Sequence, residues 1–349
     1  MSGDKPYLSV VICCHNSETL LPRTLAHLAN QEVDPSLQWE VVVVDNGSTD
    51  RTAEVARTWP GAAKALLRVV REPKLGLSYA RARGIQEARG EIISFVDDDN
   101  WLCREWVQTA ADVMRDHPEA GALGGIVEPE FDGECPAWFT PVAYLYATGP
   151  EGEPSGDVTG VHMLCGAGLS VRRSALADIQ GKGFRSISVG RQGTGLGAGE
   201  DSEMTYCLRL SGWRLRIDPR LRIKHFLPAR RLIWSYARRL AYGSAFATPE
   251  RDALMYACKP PRRGVTYQLR LLRERWFWQM GATLKQLVPA WRGVLKRRLG
   301  RGTDGDLDVL QAEFVLGRVN GLLAMRRTYN ARAKEIRQVM ARMKRQTRG

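Results

Sequence analysis

The chain has 349 residues and a net charge of +13, longer than one hydrophobic core usually serves, so a main domain with a smaller appended region is expected. Its seven cysteines are odd in number and no two have C-x-x-C spacing, which argues against a disulfide framework or a zinc site and suits a reducing compartment. The first residues, Met1–Pro6, are polar, and no apolar run reaches the ~20 residues of a spanning helix, so neither a secretory leader nor a membrane span is expected and the expected location is cytoplasmic.

Leu8–Asn16, LSVVICCHN, is a continuous apolar run that ends in polar residues, the pattern of a buried strand with a loop at its carboxyl end. Leu20, Leu21, Thr24, Leu25 and Leu28 then recur at helical spacing. Trp39–Asp50 repeats the plan: a valine-rich strand ends at Asp45, and Ser48 or Thr49 is placed to cap a helix from about Asp50. A weaker strand, ALLRVVRE, precedes the Gly-led helix GLSYARARGIQEARG and the strand EIISFVDDD. A helix is predicted next over NWLCREWVQTAADVMRDHP, then a strand over AGALGGIVEP. Buried strands that alternate with helices imply an α/β fold, a mostly parallel sheet with helices on both faces. Ligands of such sheets collect beyond the carboxyl ends of the strands, which puts His15, Asn16, Asp45, Asp97 and Asp99 on one rim.

Glu130–Val161 is rich in Pro, Gly and Tyr and reads as loop. LCGAGLSVRRSALADI reads as strand then helix. A Gly-rich loop leads to a helix from about Asp201 that stops at Gly212, and RLRIKHF alternates as a strand. Beyond Pro228 the pattern is helical, with Leu232, Ile233, Tyr236 and Leu240 on one face and breaks at Pro260–Pro261, Pro289 and GRGTDGD. The expected division is therefore 1–228, carrying the sheet, and 229–349, a basic helical region. Met1–Leu221 holds 22 Lys+Arg against 30 Asp+Glu, or −8, and Arg222–Gly349 holds 29 against 8, or +21. Such a tail suits an anionic partner: nucleic acid, lipid headgroups or a phosphorylated protein.

Five groups of residues carry candidate chemistry, each with a structural alternative. Asp97 and Asp99, two apart in a strand, face one way while Asp98 points elsewhere. Mg²⁺ or Mn²⁺ favours such carboxylates together with substrate phosphates, and the same residues also suit a helix start capped by Asp99 or Asn100. Asp45 either accepts the imide N–H of a pyrimidine base or closes an Asx turn. In GLSYARARG, Gly76 permits close backbone approach, and Arg81 and Arg83 either offset diphosphate charge or stay solvated. Glu200 and Asp201 open a helix after glycines, as a general base or as a cap. His225 shares a strand face with Leu221 and Ile223, as a third metal ligand or as a core residue.

In this order, SVVICCHN, VVVVDNGSTD, GLSYARARGI…ARGEIISFVDDDN, CGAGLSVRRSAL and GEDSEMTYCLRLSGWRL resemble family 2 of the nucleotide-sugar glycosyltransferases, inverting enzymes of the GT-A fold, over Leu8–Pro228. The resemblance implies a Rossmann-like GT-A domain that binds a nucleotide sugar, UDP-linked first of all, with a divalent metal, Mn²⁺ or Mg²⁺. It sets Cys14, His15 and Asn16 against the nucleoside, Asp45 on the base, Arg81 near the diphosphate, and Asp97 and Asp98 on the donor side. Asp99 and His225 would ligate the metal, and Asp201 would be the general base with Glu200 beside it. Where the family often has Arg-Asn, this chain has Arg81-Ala82.

The implied acceptor is a glycan or a lipid-linked molecule in polysaccharide or glycoconjugate synthesis. The tail, with Trp234, Tyr236, Tyr242, Trp276, Phe277, Trp278 and Trp291 among its basic residues, suits either the inner membrane face or a homo-oligomer contact. The rival class is a sugar-nucleotide-binding module without turnover or a basic nucleic-acid binder. The intact GEDSEM segment disfavours the first, and the lack of any nucleic-acid-binding signature disfavours the second.

Overall fold

The computed structural model describes residues 5–346 apart from 60–65, 149–154, 161–162, 184–198 and 259–270. Strand β1 (Leu8–Cys14) lies between β2 (Trp39–Asp45) and β4 (Ile92–Asp97), all parallel, with β3 (Leu66–Arg71) outside β2. The nine-stranded sheet runs β3-β2-β1-β4-β8-β6-β9-β5. It continues through β8 (Ser170–Arg172), β6 (Ala120–Phe131) and β9 (Arg214–Leu227) to the edge strand β5 (Asn100–Leu102), with β7 (Gly156–Asp157) also on β9. The chain winds outward from β1 in both directions, so the carboxyl ends of β1 and β4 form the switch point where α/β sheets bind ligands.

Alternation along the strands feeds two cores. Leu8, Val10 and Ile12 face the helices α1 (Leu21–Ala29) and α4 (Trp106–Asp116). Val11, Val42 and Val44 face the opposite layer, which includes α3 (Leu77–Glu87), α5 (Arg173–Gly181) and α6 (Glu200–Leu210). The close approach of α3 depends on Gly84, where a Cβ would overlap Val11.

The structure departs from the sequence reading at five places. Asn100–Leu102 is strand, and the helix begins only at Trp106, so neither Asp99 nor Asn100 is a cap. Antiparallel pairing with β9, together with Trp101 stacked 5.1 Å from Phe226, overrides the local helical pattern. The short helix α2 (Thr52–Arg57) takes its first N–H bond from Asp50, at 3.0 Å to Thr52 N, and not from Ser48 or Thr49. The expected loop after Glu130 contains a 3-10 turn, Thr140–Tyr146, because Phe139, Val142 and Tyr146 bury against Leu227, Trp234 and Leu240. Ile233 is 50% exposed, and the buried face of α7 (Trp234–Ala247) is Trp234, Ala237, Leu240, Ala241 and Ala245. The break expected at Pro289 falls three residues earlier, at Gln286, and Pro289 itself sits in the first turn of α10 (Leu287–Arg298), where its missing N–H has no intrahelical partner to lose. The expected break at Pro260–Pro261 lies outside the described residues.

Beyond Pro228, α7 is followed by α8 (Asp252–Cys258), α9 (Trp276–Lys285), α10, α11 (Leu307–Ala324) and α12 (Tyr329–Gln346). This region is packed onto the sheet layer: Leu254, Ala333 and Ile336 share a core with Cys207 and Leu208. A buried polar knot ties the helices together, with Arg318 clamping both carboxylate oxygens of Asp252 at 3.1 and 2.9 Å and Tyr329 donating to Asp252 at 2.7 Å. Gly317 and Gly321, one turn apart on α11, lie against the carbonyls of Tyr242 and Phe246 on α7. Any side chain there forces the helices apart. Gly317→Val is expected to destabilise the protein by roughly 1–3 kcal/mol, the usual range for overpacking, read as a lower Tm.

Candidate active site

The carboxyl ends of β1 and β4, the start of α6 and the end of β9 surround a cleft of about 840 Å³. Asp97, Asp98, Asp99, Glu200, Asp201 and His225 all line it. Cys14 and His15 do as well, whereas Asn16 and Asp45 are not among its lining residues. These two hold the loops. Asp45 Oδ1 accepts the Ser48 N–H at 3.0 Å, an Asx-type turn, and Asn16, with φ +54°, accepts from Thr49 N at 2.8 Å. His15 is tied through Nδ1 to the Asn46 carbonyl at 2.8 Å.

Asp97 ends its strand, and Asp98 and Asp99 form the turn that follows. β4 stops at Asp97 and β5 starts at Asn100, so the strand-alternation argument does not apply to Asp97 and Asp99. Each carboxylate goes its own way. Asp98 accepts the Ser17 hydroxyl, and Asp99 accepts from Arg231 at 2.8 Å with His225 Nε2 3.6 Å away. The register Asn100↔His225 between β5 and β9 is what places Asp99 beside that imidazole. His225 Nδ1 lies 2.9 Å from the Tyr146 carbonyl and donates to it, which turns Nε2 toward Asp99. Tyr146 also donates its hydroxyl to the Arg231 carbonyl at 2.9 Å, fixing both groups.

Also on the cleft, α6 starts at Glu200 after Gly199, whose φ of +148° suits glycine. Buried Arg81 on α3 forms ion pairs with Asp201 and, at 3.4 Å, with Glu200. The arginine expected near a diphosphate thus pairs with the expected general base. Arg83 instead pairs with Glu87 on its own helix at 2.8 Å. Gly166 makes room for Asp201, since a Cβ there would overlap its carboxylate.

The crowding of acids shows in their protonation. Burial pushes Glu200 up to about 7, against the pull of Arg81, and one of its oxygens, Oε1, has no hydrogen-bond partner among the described residues. Burial and then Asp99 push Asp98 up to about 7, and burial also raises Asp97. Asp99 is held well below the usual carboxylate range: burial opposes this, but His225 and Arg231 outweigh it. Burial pushes the Cys13 and Cys165 thiols up to about 12, which removes them as thiolate nucleophiles.

Residues 9–179 match the family model described as Glycosyl transferase family 2. That segment belongs to glycosyl transferase family 2. Among the chain's relatives, a putative glycosyltransferase, EpsH, of Bacillus subtilis is 31% identical over 113 residues, 31% of this chain and 32% of that one. A glucosyl-dolichyl phosphate glucuronosyltransferase of Haloferax volcanii is 24% identical over 226 residues, 63% of this chain and 69% of that one. The chain therefore spans only about a third of the first relative's length. Two solved structures share the fold. The mannosyltransferase PcManGT of Pyrobaculum calidifontis, in complex with GDP-Man and Mn²⁺, has a TM-score of 0.56 at 17% identity and covers 92% of this chain and 88% of its own. The TarS 1–349 structure of S. aureus has a TM-score of 0.50 at 18% identity and covers 91% of each chain. The mixed sheet with its surrounding helices is the GT-A fold.

For this chain, a metal site can be tested on the donor set. Asp99 and the Nε2 of His225 offer one carboxylate and one imidazole, which suits a divalent cation whose remaining positions come from phosphate oxygens. Among the described residues no three His, Cys, Asp or Glu side chains cluster as a complete protein-made site. The pair therefore fits, with Arg231 as the competing cation for Asp99.

Sequence reasoning did not single out Asn46, Tyr146, Arg231 or Arg251, all of which line the cleft. Asn46 spends its amide on the Glu72 and Lys74 carbonyls and the Gly76 N–H, at 3.0, 2.7 and 2.9 Å, and so fixes the entry to α3. It stood next to Asp45 in VVVVDNGSTD and could have been read as a turn latch. Arg231 and Arg251 carried no mark among the many cations of the tail.

Glu200 links the site to stability. Its folded value of about 7 lies above its ordinary 4.5, so the contribution of the neutral acid is present below pH 4.5 and is lost as pH rises through 7. Glu200→Gln is expected to match wild-type stability at pH 4.5 and to exceed it at pH 8 by at most about 3 kcal/mol, read as a higher Tm. Thermal melts of both proteins across that range check the sign.

Proposed function

We propose that the protein is an inverting glycosyltransferase that moves a sugar from a nucleotide-sugar donor, a UDP-sugar as first candidate, to a hydroxyl of a glycan or lipid-linked acceptor. The observation that carries this reading is the arrangement of carboxylates in one cleft, which is lined by the triplet Asp97, Asp98 and Asp99 and by the pair Glu200 and Asp201, bridged by Arg81. One group of acids can meet the donor while the other meets the acceptor. The dolichyl phosphate in the name of the Haloferax relative motivates the lipid-linked option. A cytoplasmic setting and a role in polysaccharide or glycoconjugate synthesis belong to the same proposal.

Asp201, with its side chain 28% exposed to the cleft, takes the proton of the acceptor hydroxyl. That oxygen attacks the anomeric carbon from the face opposite the diphosphate, the C–O bond to the diphosphate breaks, and its electron pair leaves with the nucleotide. A single displacement inverts the configuration. Arg81 orients the Asp201 carboxylate, and buried Glu200 holds Arg81 from its other side. An acid-rich cleft repels a diphosphate unless cations intervene. A divalent cation held by Asp99 and His225 would neutralise the charge that develops on the leaving group. Arg231 lies against the same carboxylate and supplies positive charge there.

Release of nucleoside diphosphate from a panel of sugar nucleotides, with Mn²⁺ or Mg²⁺ and a hydroxyl acceptor, tests the reading. Nucleotide or nucleic-acid binding with no release for any donor would favour the non-catalytic alternative. Asp201→Asn is expected to lower turnover by ~10²–10⁴-fold, the scale of a positioned base, while donor affinity persists. Gly166→Ala is expected to reproduce that loss because it displaces the same carboxylate. Normal turnover in Asp201→Asn alongside a dead Glu200→Gln would move the base to Glu200.

Asp99→Ala and EDTA are each expected to abolish transfer, with the far-UV CD spectrum unchanged. Full activity in EDTA together with loss in Arg231→Ala would assign the counter-charge to the guanidinium alone.

A further inference from the structure

Helices α9 and α10 carry a surface that the transfer reaction does not use. On α10, Val288, Trp291, Leu295 and Leu299 are 72%, 56%, 48% and 52% exposed. Their spacing, i, i+3, i+7 and i+11, aligns them in one stripe. The other side of the helix is spent on packing, since Gly293 lies against the backbone of Asp308 in α11. Phe277, Trp278 and Leu284 of α9 are 53%, 49% and 45% exposed, while Met280 turns inward to Leu322 and Tyr329. Clustered exposed apolar side chains of this size mark an interaction surface more often than an inert one.

Charge identifies what covers it. Lys285, Arg292, Arg298 and Arg301 are exposed on or just beyond the same helices, and no carboxylate pairs with them among the described residues. The neighbouring Lys296 and Arg297 are instead taken up by Asp306, Asp308 and Glu313. Arg292 lies over the Trp291 ring, 5.6 Å from its centroid, so cation and aromatic ring present together. A twofold contact with a second copy would set this cationic patch against itself. An anionic surface is the complement. No helix among the described residues is long and apolar enough to cross a membrane, so contact with lipid would be interfacial.

We propose that α9 and α10 dock the protein on an anionic lipid bilayer. The stripe Val288, Trp291, Leu295 and Leu299 enters the boundary between headgroups and acyl chains, and Lys285, Arg292 and Arg298 meet lipid phosphates and carboxylates. This goes beyond the transfer reaction and does not rest on it.

The test is co-sedimentation of the full chain with vesicles of phosphatidylcholine alone or with added phosphatidylserine, each at low and high salt. Pelleting is expected with the anionic vesicles at low salt and severalfold less at high salt, because the Debye length shrinks from ~10 Å at 0.1 M to ~3 Å at 1 M. Trp291→Ser combined with Leu295→Ser is expected to cut pelleting by about tenfold through lost apolar insertion, with unchanged Tm because both side chains are exposed. Arg292→Glu combined with Arg298→Glu is expected to remove the preference for anionic vesicles. Negligible pelleting in all four conditions, or pelleting that neither double variant alters, overturns the proposal. So does a dimer by light scattering that Trp291→Ser with Leu295→Ser dissolves while vesicles bind nothing, which would make the stripe a contact with a second copy. The readout needs no donor, so its failure is distinct from failure of the glycosyltransferase reading.

Discussion

The site is governed by the cost of gathering carboxylates out of water. Asp97, Asp98, Asp99, Glu200 and Asp201 converge on the cleft, Asp99 and Glu200 buried and the other three half-buried. Like charges in such a place are tolerated only with counter-charges or with protons. The fold uses both. Arg81 bridges Asp201 and Glu200, Arg231 and His225 hold Asp99 ionised, and burial pushes Glu200 and Asp98 towards neutral pH. The cleft thus brings its own cations, Arg81 and Arg231.

This requirement explains why the region beyond Pro228 is part of the site and not an appendage to it. Arg231 and Arg251 come from that region, and Tyr236, Leu240 and Ser244 of α7 line the cleft beside them. α7 is held in turn by the glycine face of α11, and α11 by the Arg318–Asp252 clamp. A path of close packing therefore runs from the helical bundle to the cation on Asp99. The outer faces of α9 and α10 point away from this path, which leaves them free for a second role at an interface.

Tyr146 illustrates how a segment without sequence character becomes necessary. Its ring is buried among Phe139, Trp234 and Leu240, its carbonyl orients the His225 ring, and its hydroxyl secures the Arg231 backbone. The aromatic cluster that replaces the expected loop is a mount for the two groups on Asp99.

Much of the architecture was legible in the sequence because it is encoded locally. The valine-rich runs at Leu8–Cys14 and Trp39–Asp45, the helix after Gly199 and the stop at Gly212 follow from side-chain periodicity and backbone freedom, which need no distant partner. The same patterns put most of the candidate acids on one rim, and their order carried the family resemblance. Long-range pairing decided the rest. Asn100–Leu102 becomes strand only because β9, more than a hundred residues later, offers an edge, and that register brings His225 to Asp99. The choice of Arg231 among the cations of the tail, and of Arg81 as partner to Asp201, likewise depends on which charges the fold buries together. Propensity and spacing cannot state this, because the desolvation that makes one ion pair matter and another idle exists only once the chain has closed around it.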